Sequence, residues 1–532
     1  MERQILEKLV KWKDSRYRKP LLLEGAHRVG KTWVLKTFGE RCYENTVYVS
    51  FAENEAYKAI FEPNKDVVRI LASSAKATGR TIEPGRTLIV LDDIGECPKA
   101  LNALKYFFEV APQYHVACAA TLPTMGFSRP ASFPVGKVNL MRLDPMSFTE
   151  VLRAEGDANP HSHSHGHPNS DLHPADPLDG LRTLHTLQTL EPIPEALFDE
   201  LFEKLACYLT TGGMPEAVFK AVFKTVLLRT EGAKENTTKH ASESAPESAS
   251  ELEHDADPVR SVLAESAKAY ERDFVAHGKA REFSRIAEVW KSLPFQLARK
   301  HEAFEYGLVR DGARARTYEA AVRWLEEARL VHRIPRSTGL GLPVAAYDDR
   351  SAFRLYPADV GVLRGLARRS DLLRSSAAGA KGGANEAAVE ADGNRPLVEL
   401  NGALAEAFVL QSLAAQFEVT PRYWAEGSSL GATVFLIQRE NEIFPVEVRT
   451  EGKELEDGKE HKEDGNGGGL DALSALDELK TLFPDRIRLC VRFSTENLKL
   501  KGDVLTVPLF LADRTDRLIG LALEQMKDGR SA

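Results

Sequence analysis

The first 150 positions alternate between short apolar runs and segments of helical spacing. Leu21–Leu23, Thr46–Phe51, Thr87–Leu91, His115–Ala119 and Val138–Leu143 read as strands, the central ones continuously hydrophobic as strands buried on both faces must be. Between them, the residues after Thr32, the sequence up to about Ala77, and Ala100–Phe108 carry helical spacing. Strand and helix in alternation predict a parallel sheet. Before it, Ile5, Leu6, Leu9 and Trp12 share one face of an amphipathic helix. After it, Ser147-Phe148-Thr149-Glu150 is a capping box that opens another helix.

The apolar run Leu21–Leu23 empties into Gly25-Ala26-His27-Arg28-Val29-Gly30-Lys31-Thr32, a complete G-x-x-x-x-G-K-T. A glycine-rich turn arising by chance would lack the strand before it and the helix after it. Here Gly25 and Gly30 let backbone N–H groups of the loop (Gly25, Ala26, His27, Arg28, Val29, Gly30) turn inward at a helix N-terminus, where an anion is favoured. Lys31 then reaches the β- and γ-phosphates of ATP, and the Thr32 hydroxyl ligates Mg²⁺. The run 87–93 ends in Asp92 and Asp93, as a Walker B strand does. In that role Asp92 holds the metal through water, and Asp93 is the base or water-orienting carboxylate. Thr121, after the fourth strand, is expected to sense the γ-phosphate, or else to satisfy a strand-end turn. Lys31, Asp93 and Thr121 are thus the expected catalytic set, with Thr32 and Asp92 as the metal set.

Length and charge change this picture in two ways. A chain of 532 residues exceeds what one core sustains, so several domains are expected. With 70 Lys and Arg against 78 Asp and Glu, the chain does not coat nucleic acid generally, and any such contact must be a local patch. No stretch reaches the roughly 18 apolar residues of a membrane span, and the N-terminus does not read as a signal peptide. Five scattered cysteines suit a reducing compartment, so a cytoplasmic location without membrane contact is expected.

Further on, the chain turns helical between Tyr270 and Tyr356. Tyr318–Leu330 carries an apolar side of Ala321, Val322, Trp324, Leu325 and Ala328, and Leu330–Ile334 reads as a strand entering the turn Thr338–Gly341. Helices followed by strand and turn are in winged-helix order. Residues 310–336 hold seven Arg against four acids, so Arg310, Arg314 and Arg316 are candidate DNA contacts, and a solvated helix face in a protein-binding domain is the equal alternative. Four stretches are too poor in apolar residues to order themselves. They are the His-rich run with His161, His163, His165 and His167, the Ser/Glu/Ala-rich residues 230–258, the Ala/Gly-rich residues 375–394 and the Gly/Glu/Lys-rich residues 451–469.

Arg18-Lys19-Pro20 running into the loop, Glu96-Cys97-Pro98-Lys99-Ala100-Leu101, Pro145-Met146-Ser147-Phe148, Gly212-Gly213-Met214-Pro215-Glu216-Ala217 and Asn401-Gly402-Ala403-Leu404-Ala405-Glu406 resemble prokaryotic AAA-type ATPases of the archaeal-ATPase-like kind. The resemblance implies an α/β chain: an AAA-type P-loop domain over 1–153, a His-rich insertion over 154–180, a helical lid over 181–229 and an insertion over 230–258. A winged-helix-like region over 259–370, a linker over 371–395 and a restriction-endonuclease-like domain over 396–532 follow. A metal-dependent nuclease of that last type needs an Asp on one strand and Glu-x-Lys on the next. This chain has Val434 at the first position and Glu447-x-Arg449 at the second, so with only Glu406 and Glu447 remaining the domain is expected to be inactive.

The function expected from the sequence is a slow Mg²⁺-dependent ATPase acting as a nucleotide-driven switch for a nucleic-acid or protein partner. The alternative is a nucleotide-gated scaffold that binds ATP without significant hydrolysis. A small-molecule kinase would need an acceptor-site signature that the sequence does not carry.

Overall fold

The computed structural model describes residues 2–120, 136–157, 189–222, 263, 265, 269–272, 280–299, 303–367, 401–425, 433–449 and 475–531. Thr121, the His161–His167 run and the segments 230–258, 371–395 and 451–469 lie outside them.

The chain starts with helix α1 (Ile5–Asp14) and strand β1 (Leu21–Glu24), then helix α2 (Lys31–Cys42) and strand β2 (Asn45–Ser50). Helix α3 (Val67–Thr78), strand β3 (Thr87–Asp92), helix α4 (Pro98–Val110), and strands β4 (His115–Ala120) and β5 (Asn139–Arg142) follow. These five strands form one parallel sheet in the order β2-β3-β4-β1-β5. The central strands β1, β3 and β4 are buried along their whole length, which is why they read as apolar runs rather than as alternation. One face is covered by α1 and α2 through Leu9, Trp12, Val34, Leu35 and Phe38. The other is covered by α3 and α4 through Ile70, Leu101, Leu104 and Phe107. Because β4 lies between β1 and β3, the loops leaving β1 and β3 open on the same carboxyl edge with one strand between them.

Helix α5 (Phe148–Asp157) opens as its capping box requires. The Ser147 hydroxyl accepts from Glu150 N at 3.2 Å and the Glu150 carboxylate accepts from Ser147 N at 3.0 Å. Its apolar face, Phe148, Val151 and Leu152, leaves the first sheet and joins a second core with Phe408, Phe435 and Phe510.

That second core belongs to an eight-stranded mixed sheet. Its strands are β6 (Val331–Ser337), β7 (Asp348–Pro357), β8 (Arg422–Trp424), β9 (Thr433–Arg439), β10 (Glu442–Val448), β11 (Cys490–Ser494), β12 (Lys499–Lys501) and β13 (Val504–Pro508). The order is β12-β13-β11-β10-β9-β8-β6-β7. Strand β6, expected from sequence to follow the helices in winged-helix order, pairs with β7, and the two form an edge of this sheet, docked on β8 through Arg336 and Tyr423. The pairing joins residues far apart in sequence, so local periodicity carried no sign of it. Among the described residues no helix is long and apolar enough to cross a membrane.

Candidate functional site

The turn between β1 and α2 is shaped by backbone conformations that few residues tolerate. Gly30 has φ +97°, Arg28 has φ +64°, and a Cβ at Gly25 would sit 2.4 Å from the Leu143 carbonyl oxygen. The first turn of α2 closes on Gly30, whose carbonyl accepts from Val34 N at 3.0 Å. This leaves Ala26–Gly30 as a concave backbone strip at a helix N-terminus.

Four of the expected side chains converge there. Lys31 is buried, with its ammonium donating to the Gly25 and Ala26 carbonyls at 2.9 and 2.8 Å. Burial lowers its pKa from 10.5 to about 8, against the opposing pull of Asp93 and Asp92. The Thr32 hydroxyl donates to Asp92 Oδ2 at 2.6 Å. Asp92, buried at the end of β3, also accepts from the Tyr48 hydroxyl at 2.8 Å and from Asp93 N at 3.1 Å. Asp93 is in the left-handed region, φ +52°, and its carboxyl pKa is raised, first by burial and then by Asp92. A hydroxyl and a carboxylate oxygen side by side are hard oxygen donors, a set that fits Mg²⁺.

Two residues here gave no sign in the sequence. Tyr48 lies mid-strand in β2, and only its being half-buried, with Lys36 Nζ 3.9 Å from its ring centre, sets it apart from a surface tyrosine. Arg3 is buried beneath the loop. It donates to Val29 O at 3.1 Å and to Asp144 O at 2.6 Å, and pairs with Glu150 at 3.2 Å. The capping box thus holds the arginine that holds the loop.

Segment 212–217 covers the loop from outside. Tyr270 donates to His27 O at 3.1 Å and Arg28 pairs with Glu216 at 3.4 Å. Gly213 O accepts from Met146 N at 2.7 Å, while Gly213 N donates to buried Asp359 at 2.6 Å. Burial raises the Asp359 pKa to about 6 although Val362 N also donates to it. Gln411 continues the contact, accepting from Val360 N and donating to the Tyr208 hydroxyl.

Residues 17–152 match the family model of the AAA domain. They form an AAA domain, a nucleotide-binding P-loop module. A second match, to a domain of unknown function (DUF8612), covers residues 245–373, the middle of the chain rather than its end. No curated protein matches the chain. Solved structures similar to it include the Holliday junction branch migration motor RuvB of Thermotoga maritima, at 16% identity, 30% of this chain and TM-score 0.22. The chain spans half the length of that structure. The Orc1 protein of Aeropyrum pernix in complex with DNA matches at 14% identity, 70% of this chain, 92% of that one and TM-score 0.26. AMPPCP-bound DnaA from Aquifex aeolicus matches at 13% identity, 61% of this chain, 86% of that one and TM-score 0.25. At such scores these likenesses carry no functional information.

The Arg residues of 310–336 divide into two groups. Arg310, Arg314, Arg316 and Arg323 are exposed, whereas Arg329, Arg333 and Arg336 pair with Glu24, Glu319 and Asp349. The two remaining carboxylates, Glu447 on β10 and Glu406 on the helix Asn401–Gln416, do not converge. Glu447 stands opposite Val434 and beside Arg492, on the face where Cys490 packs with Leu476 and Leu479. Glu406 bonds to Thr433 at 2.7 Å, and Thr433 pairs with Val448, whose side chain lies on the other face. Glu447 is fully buried, accepts from Arg492 at 2.8 Å and forms an ion pair with Arg449 at 3.1 Å, and Glu406 pairs with Arg354 at 3.3 Å.

Proposed function

We propose that the chain is a Mg²⁺-dependent ATP-binding protein whose AAA domain turns over slowly and acts as a nucleotide-driven switch. The observation that carries this reading is the 2.6 Å contact of Thr32 with Asp92 beside the loop that holds the Lys31 ammonium. In this role the backbone of Ala26–Gly30 cradles the phosphates, and Lys31 exchanges its two carbonyl partners for phosphate oxygens. Thr32 and Asp92 hold Mg²⁺, which when bound neutralises charge on the β- and γ-phosphates. Asp93 orients the attacking water and takes its proton as the bond from the γ-phosphorus to the bridging oxygen breaks. A carboxyl whose pKa is raised is suited to that task.

The nucleotide state passes outward along contacts that touch the loop: Arg3 to Glu150, and segment 212–217 to Asp359 and Gln411. The exposed Arg310, Arg314 and Arg316 give the switch a candidate duplex-DNA contact, with a protein partner as the other candidate. The test is ATP turnover of the purified chain with and without duplex DNA. Slow turnover that DNA changes supports the switch, and turnover indifferent to DNA removes DNA as its partner.

One observation favours the second reading, a scaffold that binds ATP without significant hydrolysis. Asp93 is one methylene shorter than a glutamate and its backbone is left-handed, so its carboxylate is set back from the water it would orient. A misplacement of about 1 Å can cost on the order of a hundredfold in rate. Asp93→Glu should therefore raise turnover, and a slower Glu variant would show that Asp93 is already well placed.

A further inference from the structure

The carboxyl edge of the AAA sheet holds the nucleotide site, and a different chemistry gathers at the opposite edge, where β1 and β4 begin. Residues 8–19 contain Lys8, Lys11, Lys13, Arg16, Arg18 and Lys19 against Asp14 alone, a local charge of +5 in a chain of −8. Helix α1 buries Ile5, Leu9 and Trp12 and leaves Lys8 and Lys11 outside. A tight turn follows, with Arg18 N bonded to Ser15 O at 3.2 Å and Tyr17 N to the Ser15 hydroxyl at 3.2 Å. Arg16 and Tyr17 project from its tip, and Tyr17 is 87% exposed.

Beside this turn is a recess lined by Trp12, Arg18, Lys19, Phe107, Phe108 and Tyr114. Arg18 is fixed there by bonds to Lys13 O and Pro112 O. The Phe108 ring has two ammonium groups over it, Lys19 Nζ at 5.6 Å and Lys137 Nζ at 5.3 Å, with Glu109 pairing Lys137 at 3.0 Å. Trp12 and Phe107 are buried in the core, so the surface offers the half-buried rings of Phe108 and Tyr114 among these cations and, between Arg16 and Arg18, the exposed ring of Tyr17.

We infer that this edge is a binding platform for single-stranded nucleic acid. Lysine and arginine side chains track a phosphate backbone, and an exposed aromatic face stacks an unpaired base whatever its identity. A duplex keeps its bases stacked internally and would leave Tyr17 unused. A peptide of acidic residues alone would use the cations but would leave the exposed Tyr17 ring without a stacking partner. The platform is independent of ATP binding, being built on the other edge of the sheet.

The test uses the full chain without nucleotide and a labelled 20-nucleotide oligo-dT, read by fluorescence anisotropy at about 50 mM salt and upward. Binding is expected to weaken as salt rises. Tyr17→Ala should lose about five- to a hundredfold in affinity, while Tyr17→Phe, which keeps the ring, should bind as wild type does. Replacing Lys11 and Arg16 together by Ala should flatten the salt slope by about 1.4 units, at about 0.7 for each single-strand phosphate contact. Tyr17→Ala should weaken oligo-dT binding while leaving binding of a 20-base-pair duplex unchanged, which separates this platform from the duplex contact above. The inference is overturned if oligo-dT does not bind, if Tyr17→Ala binds as wild type, or if polyglutamate displaces the oligonucleotide as well as unlabelled oligo-dT does.

Discussion

The two sheets of this protein both place carboxylates beside cations, and they do opposite things with them. In the parallel sheet, Asp92 and Asp93 stand at one strand end, with Thr32 and Lys31 brought to the same edge by the loop after β1. At the mixed sheet, Glu406 on the helix Asn401–Gln416 packs against one face and Glu447 projects from the other, each tied to arginine. Chemistry on a phosphate needs groups that converge on one point, and a strand reverses its face with every residue. Keeping two acids of an expected set therefore secures nothing unless their register agrees. By register and by partner, Glu447 is a structural group.

The largest expected effect follows from that contrast. Glu447→Ala strips the shared partner from Arg449 and Arg492, whose side chains are 39% and 23% exposed. A fully buried pair broken this way costs roughly 3–5 kcal/mol, and access of both guanidinium groups to water should bring this to about 2–3 kcal/mol. Chemical denaturation should show the loss, with ATP affinity unchanged. Plasmid incubated with Mg²⁺ or Mn²⁺ should stay intact in wild type, and cleavage abolished by Glu447→Ala would mean that the second sheet holds a metal site after all.

The cation of the parallel sheet, unlike the arginines of the mixed one, titrates within an accessible pH range. Because Lys31 titrates near pH 8 when no phosphate is present, its cation is fully available below that pH and is lost above it. ATP affinity should hold up to pH 8 and then fall, by up to about tenfold per pH unit, until the contribution of Lys31 is gone. Stability of the free protein has the opposite sign. Between pH 8 and 10.5 the unfolded chain holds the Lys31 proton that the native state has released, so this group makes stability rise with pH. A titration in which affinity and stability moved together would contradict the buried-lysine account.

The smallest expected effect concerns the surface. Arg314→Ala with Arg316→Ala should flatten the salt dependence of duplex-DNA binding by up to about 2 units. No duplex binding at about 50 mM salt would transfer the role of this helix to a protein partner.

Much of the first sheet was legible because its signals are local. Each central strand is a short apolar run, the loop is eight consecutive residues, and the capping box at Ser147 and Glu150 spans four. What could not be read depends on distance along the chain. Arg3 reaches Glu150 across 147 positions, and Tyr48 meets Asp92 across 44. Strand β6 is legible in its own sequence and β7 is not, and the membership of both in the mixed sheet depends on β8, which follows them by more than 60 residues. Charge counting over 310–336 likewise gave seven arginines, and only folding reveals that three of them are paired.

In the proposed function, the edge carrying Gly25–Thr32 and Asp92 binds nucleotide through a buried lysine. Labelled ATP with Mg²⁺ titrated into wild type and Lys31→Ala tests it most directly, with thermal melting of both proteins as the check on folding. A charge-assisted contact of this kind contributes roughly 1.5–3 kcal/mol, so the variant should bind one to two decades more weakly while melting no lower than wild type. Equal dissociation constants for the two proteins would contradict the account.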